Sequence, residues 1–149
     1  MDVIAEQVER LCSRDAREGC RALRELLSVC ERSNDTYPYL ERFIEMTDSE
    51  NSYIRTRGLL LVVANAQWDT AHKIDGALDR LLSHILDPKP ISARQFIAAL
   101  PKLVEAREDL RDDVVRALRQ ADASHYSSSM RPLVEKDIHA ALTEIQGVL

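Results

Sequence analysis

Apolar residues recur at intervals of three and four along almost the whole chain, the spacing that predicts amphipathic helices. Ile4, Val8 and Leu11 mark a first helix. Cys20, Leu23, Leu27 and Cys30 fall on one stripe of a second, with Ser13 and Asp15 as candidate N-caps. SND at 33–35 breaks the pattern. Asp35 or Thr36 then caps a third helix, with Pro38 in its first turn, carrying Leu40, Phe43, Ile44 and Thr47. DSENS at 48–52 is a polar turn, and a fourth helix runs from it to about Ala66. A fifth is expected from Asp69 or Thr70, carrying Ile74, Leu78, Leu81, Leu82 and Ile85, until DPKP at 87–90 stops it. A sixth runs from Ile91 to Val104, with a bend expected at Pro101. The seventh carries Leu110, Val114, Leu118 and Ala121, and the eighth carries Met130, Val134, Ile138, Ala141 and Ile145. Between them lies the Ser-rich loop DASHYSSS at 122–129. No segment alternates as a strand would. The expectation is an all-α chain of about eight helices in four antiparallel pairs, forming a single domain over 1–149.

The fourth helix departs from amphipathicity. Gly58 to Ala64 is an unbroken apolar run preceded by Arg55 and Arg57. A helix apolar on all sides is one that touches neighbours on several sides, so this one is expected in the middle of a stack.

The second members of the pairs share a pattern. Ala16-Arg17, Ile54-Arg55, Ala93-Arg94 and Met130-Arg131 each open such a helix, with a further group three residues on at Cys20, Gly58, Ile97 and Val134. Six residues beyond the arginine stand Leu23, Leu61 and Leu100; in the eighth helix Asp137 occupies that place, and Ile138 supplies the apolar group one position late. The arginines are 38, 39 and 37 residues apart. A period near 40 with two helices per unit is the sequence signature of an α-solenoid.

On these residues the chain resembles the HEAT-repeat family, in which an apolar–Arg pair opens the second helix after a turn containing Asp; Asp48 and Asp87 lie near the expected turns. The helix-opening Y37-P38-Y39-L40 is also HEAT-like. The fragments ENSYIRTRGLLL, KPISARQFI and LVEKDI are similar to those of short bacterial HEAT-like proteins, some of which carry the label "SufBD protein". The resemblance implies an α-α superhelix of the HEAT or armadillo-like type. The label belongs to iron–sulfur assembly scaffolds built from β-helices. This chain has neither a β-helix pattern nor cluster-type cysteine spacing, so that function is not carried over.

Composition narrows the partners. The formal net charge is −5, which opposes generic binding to phosphate backbones. Only four Gly and five Pro are present, fewer than strands and turns would need. Three cysteines, Cys12, Cys20 and Cys30, without paired spacing suggest reduced thiols, with Cys20 and Cys30 expected in the core. The N-terminal MDVIAEQVER has no hydrophobic signal core, and the longest apolar run falls short of the roughly 20 residues a membrane helix needs. A cytoplasmic location without membrane contact is expected.

Candidate chemistry is sparse. His72, His84, His125 and His139 never stand at helical ligand spacing, so no metal or cofactor is expected. No nucleophile elbow or phosphate-binding loop occurs, so no enzymatic activity is expected. The repeat arginines Arg17, Arg55, Arg94 and Arg131 suggest a structural ladder bonded to turn acids, or else a row that binds an acidic partner. Arg57 lies off that register and is expected to be the more exposed arginine. Asn65 shares the stripe of Gly58 and Leu61, and a buried amide there needs hydrogen-bond partners: a neighbouring turn, or a ligand in a groove. Trp68 would plug a repeat junction or anchor a partner.

Arg57, Asn65, Trp68, Arg94 and Arg131 are therefore the candidate partner-binding residues. The leading expectation is a non-catalytic scaffold that binds a protein partner on a concave face made by helices two, four, six and eight. A DNA-repair-type nucleic-acid-binding protein is the alternative, opposed by the acidic charge. An accessory factor for iron–sulfur assembly is a third reading, and it predicts clustered thiols. Apolar Val148 and Leu149 suggest that terminal helices could also support a homodimer.

Overall fold

The computed structural model describes residues 2–147. Among these the chain forms eight α-helices and no strand: α1 (Val3–Arg10), α2 (Ala16–Arg32), α3 (Leu40–Met46), α4 (Ser52–Asn65), α5 (Leu78–Leu82), α6 (Pro90–Ala106), α7 (Arg111–Gln120) and α8 (Arg131–Gln146). None is long and apolar enough to cross a membrane. Val148 and Leu149, on which the dimer expectation rests, lie outside the described residues. The helices divide into two compact units, Met1–Ala77 and Leu78–Leu149.

In the first unit, short side chains start the helices. Asp2 caps α1, Asp15 caps α2 by accepting from the Arg17 amide, and Asn51 caps α4 by accepting from the amides of Tyr53 and Ile54. Each satisfies amide N–H groups that the first helical turn leaves free. Pro38 sits in the 3₁₀ turn Tyr37–Tyr39 that leads into α3. Thr36 does not cap that turn, because its hydroxyl is drawn inward to Asn65 at 2.8 Å.

The inner face of α2 differs from the expectation. Its buried residues are Gly19, Ala22, Leu26 and Cys30, while Cys20 is exposed and Leu23 and Leu27 are only half-buried. The stripe is therefore rotated by about one residue from the one that Cys20 suggested, because Gly19 is the residue against which α4 packs.

α4 packs on both α2 and α3, and every residue from Arg55 to Asn65 except Leu60 is buried. Gly58 explains how α3 comes so close. A Cβ there would lie 2.6 Å from the Phe43 carbonyl oxygen and 2.8 Å from the Met46 Cβ. The apolar run contains its one glycine where backbone meets backbone. α2 and α4 also run in the same direction. Gly19, near the start of α2, lies against Arg57, near the start of α4, and the Cys30 carbonyl near the end of α2 receives the Trp68 indole N–H just beyond α4. Both pairs are 38 residues apart.

The expected fifth helix is broken up. The Asp69 carboxylate accepts from the amides of Lys73 and Ile74, at 2.9 and 3.0 Å, which closes a turn instead of starting a helix. His72 within that turn has φ +57°, a left-handed conformation that L-residues adopt only at a cost.

In the second unit the short α5 is flanked by the 3₁₀ turn Ser83–Leu86. The periodic residues Leu78, Leu81, Leu82 and Ile85 are nonetheless buried. Phe96, Ile97, Leu100 and Leu103 of α6 join Val114 and Leu118 of α7 and Val134, Ala141 and Ile145 of α8 in the core. α6 continues through Pro101 to Ala106, two residues past the expected end.

α6 and α8 pack side by side and run in the same direction. The Tyr126 hydroxyl, ahead of α8, donates to the carbonyl of Asp87, ahead of α6, at 2.5 Å. Two turns further on, Arg94 of α6 donates to Asp137 of α8 at 2.6 Å.

Candidate functional site

Three candidates from the sequence lie in the first unit, and all three are tied into its interior. Asn65 is fully buried. Its amide donates to the Leu61 carbonyl at 2.9 Å and faces the Cys30 thiol at 3.6 Å, while its oxygen accepts from Thr36. Thr36 has one proton and gives it to Asn65, so the short 3.0 Å contact between Thr36 and Cys30 requires the thiol to donate. The amide thus closes a network that links the chain leading into α3, the end of α2 and α4. Trp68 is half-buried; its indole N–H, together with the Gln67 amide, is spent on the Cys30 carbonyl at 2.9 and 3.0 Å.

Arg57 is the correction. It is 5% exposed, not the freer arginine. Its guanidinium lies against the Gly19 backbone and donates to the carbonyls of Leu11 and Ser13, at 2.7 and 3.0 Å. Those oxygens belong to the end of α1 and the turn that follows, so the cation completes a helix C-terminus where carbonyls and dipole both favour positive charge. Its departure from the repeat register follows from this: it serves the α1–α2 turn and not its own.

The repeat arginines are placed in unlike surroundings. Arg55 is buried and donates to the Ser49 and Glu50 carbonyls of the preceding turn, at 3.1 and 3.2 Å. Arg17 is exposed on α2. Arg94 bonds Asp137, whose hydrogen bond and then charge raise the guanidinium pKa above its ordinary value. Arg131 is exposed and pairs loosely with Glu135 at 3.6 Å. Asp137, which stands six residues beyond Arg131 where the sequence pattern expects an apolar residue, is the acceptor for Arg94 of α6.

Among the described residues of the second unit, the exposed large apolar side chains stand at the N-terminal ends of α6 and α8. Ile91 is 66% exposed and Leu133 is 38% exposed. Ile91 stands one turn before Arg94 and Leu133 one turn before Asp137, so the Arg94–Asp137 link sets both apolar groups at the same end of the helix pair. Each directly follows a first-turn proline, Pro90 or Pro132. Proline starts a helix without needing an amide acceptor. The sequence reading missed Ile91 and Leu133 as surface residues because periodicity assigns isolated apolar residues to the core. The shared Pro–apolar step was the available signal.

A second accessible feature is a shallow groove of about 600 Å³ along α7, lined by Arg111, Arg116, Arg119, Gln120 and Gln146 with Asp112 and Val115. Two of its arginines are engaged, Arg111 with Glu108 at 2.7 Å and Arg116 with Asp113 at 3.1 Å. The thiols are dispersed by environment: Cys30 is buried in the Asn65 network, Cys12 is half-buried, and Cys20, near the other end of α2, is exposed.

No protein-family model matches the chain, and no curated protein or solved structure matches it.

Proposed function

We propose that the chain is built from HEAT-like helix pairs of the α-solenoid type and acts as a non-catalytic protein-interaction module. The helix-pair reading is supported by the parallel course of α2 with α4, joined by contacts 38 residues apart, and of α6 with α8, joined by contacts 39 and 43 residues apart. The 38-residue offset between α2 and α4 equals the spacing of Arg17 and Arg55 in the sequence, and the offsets between α6 and α8 are two and six residues longer than the 37 that separate Arg94 and Arg131. The interaction reading rests on one observation: Ile91 and Leu133, two large apolar side chains, stand exposed at the same end of α6 and α8, one turn before the Arg94–Asp137 ion pair that bridges the two helices. Protein interfaces bury an apolar core inside a polar rim, and exposed apolar side chains ringed by charge fit that arrangement.

The test is affinity capture with the tagged full-length chain from cells that make it naturally, alongside the variant Ile91→Glu/Leu133→Glu. Both positions are exposed, so the variant keeps its helical circular dichroism and melting point. A protein retained by the unaltered chain and depleted about tenfold by the variant, or about 1.4 kcal/mol in binding, supports the reading. Identical captured sets, or none, overturn it.

A further inference from the structure

The outward face of α2 carries Arg17, Arg21 and Arg24, all exposed. At helical spacing they fall within one narrow stripe, each about one turn from the next. Among the described residues none of the three has a carboxylate within ion-pair distance. The acids that spacing places nearest are otherwise disposed. Glu18 is drawn back to Ser13 at 2.9 Å and Arg10 at 3.9 Å, and Glu25, four residues after Arg21, is exposed and forms no ion pair with it. Ser28 extends the same stripe by one turn.

This is a concentration of like charge in a chain whose net charge is −5. Arg17 and Arg21 are four residues apart and Arg21 and Arg24 three apart, spacings at which like charges destabilise a helix. The inner face of α2 is required for packing, but nothing in the packing requires three guanidiniums on the outer face. They repel one another in the free chain and are relieved by a line of negative charge.

We infer that the Arg17–Arg21–Arg24 face of α2 docks an acidic helical segment of a partner protein, one with carboxylates spaced three and four apart along one side. The inference deepens the interaction-module reading by adding a second surface and the charge of its partner. A helix suits the site because its side chains repeat with the same rise as the arginines. A nucleic-acid backbone is disfavoured because the field of the whole chain is negative.

The probe is a synthetic helical peptide of about 20 residues, long enough to be helical alone, with glutamates along one face. Its control has the same composition with glutamates distributed around the helix. Fluorescence anisotropy with the full-length chain is expected to show the striped peptide binding about tenfold more tightly than the control. Arg17→Glu/Arg21→Glu/Arg24→Glu abolishes that binding and transfers it to a lysine-striped peptide. Arg21→Gln, a milder change, weakens it and raises the melting temperature of the free chain.

Cys20, exposed on the flank of the stripe, supplies the location. In the Cys12→Ser chain, alkylation of Cys20 is expected to slow several-fold when the striped peptide is present. Equal affinity for the two peptides overturns the inference, as does an unchanged Cys20 rate. So does preferential, salt-sensitive retention of duplex DNA that the arginine variant loses, which would make the stripe a phosphate contact. Ile91 and Leu133 are untouched in every arm, so failure here leaves the interaction-module reading standing, and failure of their substitution leaves this one standing.

Discussion

The guanidinium of Arg57 occupies the space a side chain would need at Gly19. A Cβ on Gly19 would overlap the guanidinium carbon and both of its terminal nitrogens. One residue on α4 thereby dictates that a position 38 residues earlier on α2 be glycine, and in return the cation reaches the carbonyls of Leu11 and Ser13.

That relationship predicts a reversal of sign. Gly19→Ala displaces Arg57 and is expected to destabilise the chain by about 1–3 kcal/mol, the usual penalty for overpacking. In the Arg57→Ala background the same change is expected to stabilise by about 0.5–1 kcal/mol, because alanine is then simply the better helix former. Arg57→Ala alone strands two carbonyls and is expected to cost about 1.5–3 kcal/mol. Urea denaturation of the four chains of this cycle measures each step.

Asn65 is expected to behave as a structural amide. Asn65→Ala leaves the Thr36 hydroxyl without its acceptor and is expected to lower stability by about 1–3 kcal/mol. Asn65→Leu combined with Thr36→Val removes both partners and is expected to be less damaging than the sum of the single changes. Thermal unfolding of the single and double variants checks this. Additive losses would show that the two groups are not coupled.

Tyr126 sets an alkaline limit. Burial first, and then the charge of Asp87, raise the phenol pKa from 10.0 to about 12. The folded pKa lies above the unfolded one, so this contribution is full below about pH 10 and is lost as pH rises through about 12. Alkaline unfolding should therefore steepen in that window. Tyr126→Phe, which also removes the hydrogen bond to the Asp87 carbonyl, is expected to give a less stable chain with a flatter profile there. Equal pH profiles would refute the assignment.

The Arg94–Asp137 bond is expected to be modest and salt-sensitive, because both side chains keep contact with water. A double-mutant cycle with Arg94→Ala and Asp137→Ala should show favourable coupling that shrinks as salt is added. Coupling unchanged by salt would mean that the contact acts through packing.

Periodicity located the helices because burial of one face is a local constraint, repeated every three to four residues. It failed where contacts come from far along the chain. α2 presents Gly19 inward, and not Cys20, because Arg57 arrives from α4. The fifth helix is short because the Asp69 carboxylate captures the amides of Lys73 and Ile74.

The sequence by itself determined an all-helical chain and the buried amide at Asn65, because hydrophobic spacing and the need to satisfy a buried polar group are properties of single segments. Only the tertiary structure decided the fate of each arginine. A guanidinium is long enough to reach a carbonyl, a carboxylate or solvent, and which of these it meets depends on the helix packed beside it. Arg55 and Arg57 meet carbonyls, Arg94 meets Asp137, and Arg17 faces water. Ile91 and Leu133 were decided in the same way: their residue type predicts burial, and the packing of α6 and α8 leaves them exposed.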